Sequence, residues 1–390
     1  MSESHGVSRT SREMIERLVA FDTTSRNSNL ELIEDVAGYL QGLGIESELV
    51  KSEDGRKANL YATIGPADKP GIALSGHTDV VPIDGQDWSV DPWRVSEADG
   101  RLYGRGTSDM KSFIAVALAF APRFVEADLS TPIHFCFSYD EEVGCLGVRR
   151  LLAELSERPI KPACVIIGEP TDMKVVNAHK GKLSYRCKVR GLAGHSSLAP
   201  HCVNAVEYAA RVIVRLSDMA REKAEDGPLD EDFDVPFTTV HTGPITGGTA
   251  LNIVPSECSF EFEFRNLPQE DAEGLLAQIQ DYAASELEPE MQAIDRQAGF
   301  EWEEMSVFPA LDTPPDEEVV GLAKQLAGAN STTKVAFGTE AGLFSAGGIT
   351  AVVCGPGSIE QAHKPDEYVE LKQIAACEAF MERLLERAGA

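Results

Sequence analysis

Histidines and carboxylates recur along this chain in short turns, most of them just after an apolar run. His77 and Asp79 stand in SGHTD, Asp109 in GRGTSDMK, and the pair Glu141-Glu142 in YDEEVG. Glu169 stands in IIGEP and His363 in GSIEQAHKPDE. Two imidazoles and several carboxylates are nitrogen and oxygen donors suited to divalent cations. They are the inventory of a two-metal hydrolase, in which bound cations make a nucleophile of water near neutral pH.

Taken singly, each residue has a plain structural explanation beside the chemical one. His77 ends the run Ile72-Ala73-Leu74 after Gly76, and Asp79 is close enough in sequence to hold its second ring nitrogen. A histidine satisfied within a turn explains the same pair. Asp109 either caps the helix that follows or is an anion shared by two cations. Glu141 and Glu142 are adjacent and must point different ways, so one can bind metal while the other acts as a base. A solvated acidic turn with Asp140 is the alternative. Glu169 closes the buried run Val165-Ile166-Ile167, where surface decoration is a weaker explanation. His195, in GLAGHSS, is either an exposed loop residue or a donor to an anionic group. His5, among the remaining histidines, has no assigned role. The order and strand-end placement of the whole set favour chemistry, because open α/β sheets build their ligand crevices at strand ends.

The elements that must carry these residues alternate. Helical patterns at Ser11–Ala20 and Leu30–Gly42 precede strands at Leu60–Ile64 and Gly71–Ser75. A helix over Ser112–Phe120, a strand at Ile133–Tyr139, a helix from Cys145 and a strand at Ala163–Ile167 follow. This predicts an α/β fold with a mostly parallel sheet and helices on both faces. From Lys180 the rhythm becomes β-α-β-β-α-β, that of a ferredoxin-like unit. In it, Ala205–Met219 is helical and the acidic stretch Arg221–Asp234 is a loop. After Pro309 the α/β pattern resumes. The expected organisation is a catalytic metal-binding domain over 1–179 and 309–390, interrupted by an inserted domain over 180–308.

The chain has 35 basic and 63 acidic residues, a formal net charge of -28. That excludes nucleic acid and anionic membranes as natural partners. It fits a solvated surface that aids solubility, or adaptation to high salt, where self-repulsion is screened. The amino terminus has no apolar signal core, and the longest apolar run, Phe113–Ala121, is too short to span a bilayer. A cytoplasmic location is expected. The 8 cysteines are spread singly without a Cys-x-x-Cys pair, as reduced core thiols are.

Together the motifs SGHTDVVP, GRGTSDMK, DEEVG, GEP, GHSS and the final histidine resemble the family of dinuclear zinc deacylases and exopeptidases. The resemblance covers nearly the whole chain, with no departure at a metal position. It implies that His77 and Glu169 bind one zinc ion, that Glu142 and His363 bind the other, and that Asp109 bridges them. Cobalt or manganese could replace zinc in such sites. It further implies that Asp79 orients His77 and that Glu141 is the general acid/base. His195 would stabilise the oxyanion across a homodimer formed by the inserted lid/dimerisation domain. Asn252 and Arg265 would hold the substrate, a small N-acyl amino acid. The flanking segments SGHTDVVPIDGQDWSVDPW, FGTEAGLF and CGPGSIEQAHKPDEYV narrow the resemblance to the branch that converts N2-acetyl-L-ornithine to ornithine and acetate in arginine biosynthesis. Another N-acyl-amino-acid deacylase, a dipeptide exopeptidase and a non-catalytic metal-binding scaffold remain as alternatives.

Overall fold

A computed structural model of the chain describes residues 7–389; His5 lies outside the described residues. The chain divides into two compact units. The first holds the residues up to Ala178, Leu311–Lys334 and the residues from Thr339 on; the second holds His179–Ala310 and Val335–Gly338.

The first unit is built on a mixed sheet. Its strand order is Ser47–Lys51, Ala58–Ile64, Ile133–Ser138, Ile72–His77, Cys164–Pro170, Thr350–Gly355, Val176–His179 and Leu311–Asp312. The four strands from Ile133–Ser138 to Thr350–Gly355 run parallel, and antiparallel strands flank them. Ile72–His77, Ile133–Ser138 and Cys164–Pro170 are buried at every position. Their continuous apolar runs have that origin, since a parallel strand covered on both faces has no solvent side to make polar. The helix Lys111–Glu126 lies on one face and packs against Arg9–Val19 and Leu371–Gly389. Leu146–Ser156 covers the other face together with Ala341–Ala346.

The helix after Asp109 is longer than the sequence suggests. It was expected to stop at Phe120, before Pro122, yet it continues to Glu126. A proline inside a helix leaves the carbonyl four residues earlier without its donor. Here that carbonyl, Leu118 O, accepts a hydrogen bond from the Tyr39 hydroxyl at 3.1 Å.

Two glycines set the strand ends against this helix. A Cβ on Gly168 would sit 1.9 Å from the Phe113 ring, and one on Gly76 would sit 2.6 Å from Met110 Cε. Each precedes a residue of interest, Glu169 and His77. Successive side chains on a strand point to opposite faces, so the glycine meets the helix while its neighbour turns away from it.

The second unit is a four-stranded antiparallel sheet in the order Thr239–Gly247, Glu257–Arg265, Lys182–Arg190, Gly299–Phe308. The helices Ala205–Asp226 and Ala272–Tyr282 complete the β-α-β-β-α-β order of a ferredoxin-like unit. Glu257–Arg265 alternates strictly, with Cys258, Phe260, Phe262 and Phe264 buried. The stretch from Arg221, expected as a loop, is helical as far as Asp226. Three of its charged residues are paired: Glu222 with Arg215, Arg221 with Asp218, and Lys223 with Glu270. Among the described residues no helix is long and apolar enough to cross a membrane.

Candidate metal centre

The ligand candidates of the first unit converge from three strand ends and two loops. His77 ends its strand, buried, and its Nδ1–H donates to the Asp79 backbone carbonyl at 2.9 Å. That bond fixes the ring so that Nε2 faces the carboxylates. The Asp79 carboxylate, expected to orient His77, has Oδ1 3.6 Å from Nδ1. The same carboxylate also serves the neighbouring turn. It accepts from the backbone N–H of Glu141 at 3.1 Å, from that of Glu142 at 3.3 Å, and from Ser25 Oγ at 2.7 Å. Asp79 therefore ties His77 to the acidic pair through two different groups.

Asp109 does not cap the helix that follows it. The N-cap position is Met110, which makes no side-chain cap, and a cis peptide joins the two residues. The two oxygens of Asp109 face two different histidines. Oδ1 is 3.0 Å from His77 Nε2, and Oδ2 is 3.2 Å from His363 Nε2. Beyond His77 lies Glu169 Oε1 at 3.7 Å; beside His363 lies Glu142 Oε2 at 3.0 Å. Ligand atoms of His77, Asp109 and Glu142 lie within 4.8 Å of one another, and so do those of His77, Glu141 and Glu169.

So many buried acids cannot all carry charge unaided. Burial raises Glu141 to about 8; His77 pulls it down, while Glu142, Glu340 and Asp109 push it up. Burial and the Asp109 charge bring Glu142 to about 7 despite His363. Glu169 lies well above the usual range for the same first reason, burial, with His77 opposing it. Asp109 is the exception. Burial pushes its carboxyl up, but hydrogen bonds from His363 and His77 more than reverse this and leave it well below the ordinary value. One Glu142 oxygen, Oε1, is buried without a partner. A crowded N/O donor set with orphaned acceptor capacity fits divalent cations, which supply the charge that burial removes.

A buried ion pair that the sequence reading did not single out braces this arrangement. Glu367 accepts from the backbone N–H groups of Ser108 at 2.8 Å, Asp109 at 3.0 Å and Gly106 at 3.1 Å. Its Oε2 also pairs with Arg105 Nη1 at 2.6 Å, both side chains being 1% exposed. Arg105 Nη2 donates to Gln86 Oε1 at 2.6 Å, and Gln86 Nε2 donates to the His363 carbonyl at 3.0 Å. One network thus fixes both the Asp109 loop and the His363 loop. Removing one partner of such a pair strands the other charge, at a cost of about 3–5 kcal/mol. Glu367→Gln is therefore expected to lower stability by about that amount, read by denaturant titration, and to weaken metal retention on dialysis. Glu340, in FGTEAGLF, is a second residue that was overlooked. It is fully buried, and burial, opposed by the Ser138 hydroxyl and His77, holds it at about 7.

The remaining candidates belong to the second unit. His195 is exposed, and its Nδ1 lies 2.8 Å from Ser197 Oγ. It pairs in register with Ile253, beside Asn252, whose carbonyl accepts from Ser196 N at 3.0 Å. Arg265 ends its strand with Nε donating to Glu263 Oε1 at 3.1 Å. An open groove of about 1150 Å³ in the same unit, edged by Arg186, Lys188 and Arg190, is lined by none of these three residues.

Fold and donor set together place the chain in a known class: it belongs to peptidase family M20/M25/M40, whose model matches residues 73–387. It is 36% identical to the acetylornithine deacetylase of Myxococcus xanthus over 377 residues, 95% of this chain and 96% of that protein. It is 33% identical to the acetylornithine deacetylase of Pasteurella multocida over 383 residues, 96% of each. Among solved structures, an M20 family metallo-carboxypeptidase from Sulfolobus solfataricus shares the fold with a TM-score of 0.77. That match covers 98% of this chain and all of the other at 18% identity.

Proposed function

We propose that the protein is a metal-dependent amide hydrolase that converts N2-acetyl-L-ornithine and water to L-ornithine and acetate. The observation that carries the reaction type is Asp109, with one oxygen toward His77 and Glu169 and the other toward His363 and Glu142. Near-full-length similarity to proteins named acetylornithine deacetylase supports the substrate. His77 and Glu169 would hold one divalent cation, Glu142 and His363 the other, and Asp109 would bridge them. Zinc suits this set best, with cobalt or manganese as substitutes.

Two divalent cations held there would supply Lewis acidity, making water near them more acidic. Glu141 accepts a proton from the attacking water as the water oxygen bonds to the carbonyl carbon. When the C–N bond breaks, Glu141 returns the proton to the leaving amine nitrogen. His195 donates to the oxyanion, acting across a homodimer formed through the second unit. Support for such an interface comes from Leu198, Leu251 and Ile253, which lie exposed around His195. Arg265 and Asn252 would hold the substrate, the guanidinium being matched to an α-carboxylate. The protein would work in the cytoplasm, in arginine biosynthesis.

The test is metal analysis joined to a substrate panel. N2-acetyl-L-ornithine should be hydrolysed with the highest kcat/KM among acetylornithine, N-succinyl-diaminopimelate, N-acetylmethionine and a dipeptide. A preference for any other member overturns the substrate assignment. No turnover of any member, with two metal equivalents bound, leaves a binding scaffold.

A further inference from the structure

Glu141 is held by its backbone more than by its side chain. Its N–H donates to Asp79, and its carbonyl accepts from Gly144 N at 2.9 Å and Cys145 N at 2.8 Å. Its carboxylate receives one direct contact across the turn: Cys145 Sγ–H donates to Oε1 at 3.4 Å. Cys145 is fully buried and precedes the helix Leu146–Ser156 in a left-handed conformation, with φ 55°. A residue with a Cβ is strained in that backbone conformation, which glycine adopts freely. The fold nevertheless keeps a side chain there, and the left-handed turn brings its sulfur onto the Glu141 carboxylate.

We infer that Cys145 is a positioning residue for the reaction, its thiol holding Oε1 of Glu141 so that the second oxygen stays aimed and free for proton transfer. The inference rests on the reading of Glu141 as general base. The chemistry of sulfur explains the choice of donor. A thiol is a weak hydrogen-bond donor, so it selects a rotamer without strongly stabilising the anion. A lysine or arginine at this distance would form a charge-assisted bond and spend the basicity that the reaction uses. Burial, reinforced by the charges of Glu141 and Glu340, pushes the thiol well above its ordinary value, so its proton remains available to donate. A glutamate side chain set free here regains rotamer entropy, which a correctly aimed state must then overcome.

The experiment compares Cys145→Ala with Cys145→Ser in the full chain, loaded with the same divalent metal. The two replacements are close in size and carry the same backbone cost, but only serine keeps a donor. Alanine should lower kcat by about 5–10-fold, the worth of one modest hydrogen bond, with KM and metal content unchanged. Serine should recover part of that loss. Equal kcat values for the two variants would mean that the sulfur only fills space. A second measurement needs neither variant: the S–H stretching region of the infrared spectrum, compared between wild type and Glu141→Gln. A thiol band moving to higher frequency in Glu141→Gln supports the contact; an unchanged thiol region overturns it. The two readings fail separately. Normal turnover by Glu141→Ala removes the base assignment, whereas an inactive Glu141→Ala with equal Cys145 variants removes only the role of the thiol.

Discussion

Glu141→Ala is expected to retain two equivalents of divalent metal per chain and to lose roughly 10²–10⁴-fold in kcat, the usual worth of a positioned general acid/base. The retention follows from what the substitution leaves alone. The backbone N–H of Glu141 still donates to Asp79, so the turn that carries Glu142 keeps its anchor. His77, Asp109, Glu142, Glu169 and His363 are untouched. The loss follows from removing the group that takes a proton from water and returns it to the amine. Kinetics and metal content must be measured on the same sample. An oxygen of Glu141 lies with ligand atoms of His77 and Glu169 inside a 4.8 Å cluster, so geometry also allows Glu141 to be a ligand. A variant that loses one metal equivalent along with its activity would establish that alternative. A variant that keeps near-normal turnover would exclude Glu141 from the chemistry.

The ligand candidates were legible in the sequence because each stands in a local signal: an apolar run, a small turn, then an acid or a histidine. His77 and Glu169 carry the clearest form of it, since the glycine before each is needed where the strand end meets the Lys111–Glu126 helix. Glu367 and Arg105 carry no such signal. They stand 262 residues apart, and an Arg in GRGTSD or a Glu in HKPDEYV reads as an ordinary polar turn residue. Only the fold shows that both are fully buried and that three backbone N–H groups end on one of them. Glu340 was hidden for the same reason: a glutamate before a short helix suggests a surface cap until its burial is known. The helix beyond Pro122 was illegible because its compensation, the Tyr39 hydroxyl on Leu118 O, comes from 79 residues away in sequence. The ion pairs of the Ala205–Asp226 helix reach partly outside it, to Glu270, so that acidic stretch could not be recognised as helix from its own composition. Local pattern reports strands, turns and donor types, while buried electrostatics depends on partners the pattern does not contain.

Asp109→Asn should empty the site. The variant is expected to hold less than one equivalent of divalent metal per chain after dialysis and to lose more than about 10⁴-fold in kcat, beyond the loss typical of one acid/base group. Asp109 is the one carboxylate with an oxygen on each side, 3.0 Å from His77 Nε2 and 3.2 Å from His363 Nε2. It is also the one carboxyl of the cluster whose pKa lies below the ordinary range, so it is the anion most available to both cations. Asparagine keeps the size but offers one acceptor and one NH₂ group, which turns a donor toward one of the two sides. The negative charge shared between two cations is lost at the same time, and their repulsion goes unanswered. Fold damage would not explain the outcome, because the loop is anchored by backbone N–H groups of Gly106, Ser108 and Asp109 on Glu367, which the substitution does not touch. A cooperative unfolding transition in chelator, alongside an empty site, would separate the two effects. Retention of one full equivalent would show that Asp109 serves a single cation, and the shared-anion arrangement would have to be abandoned.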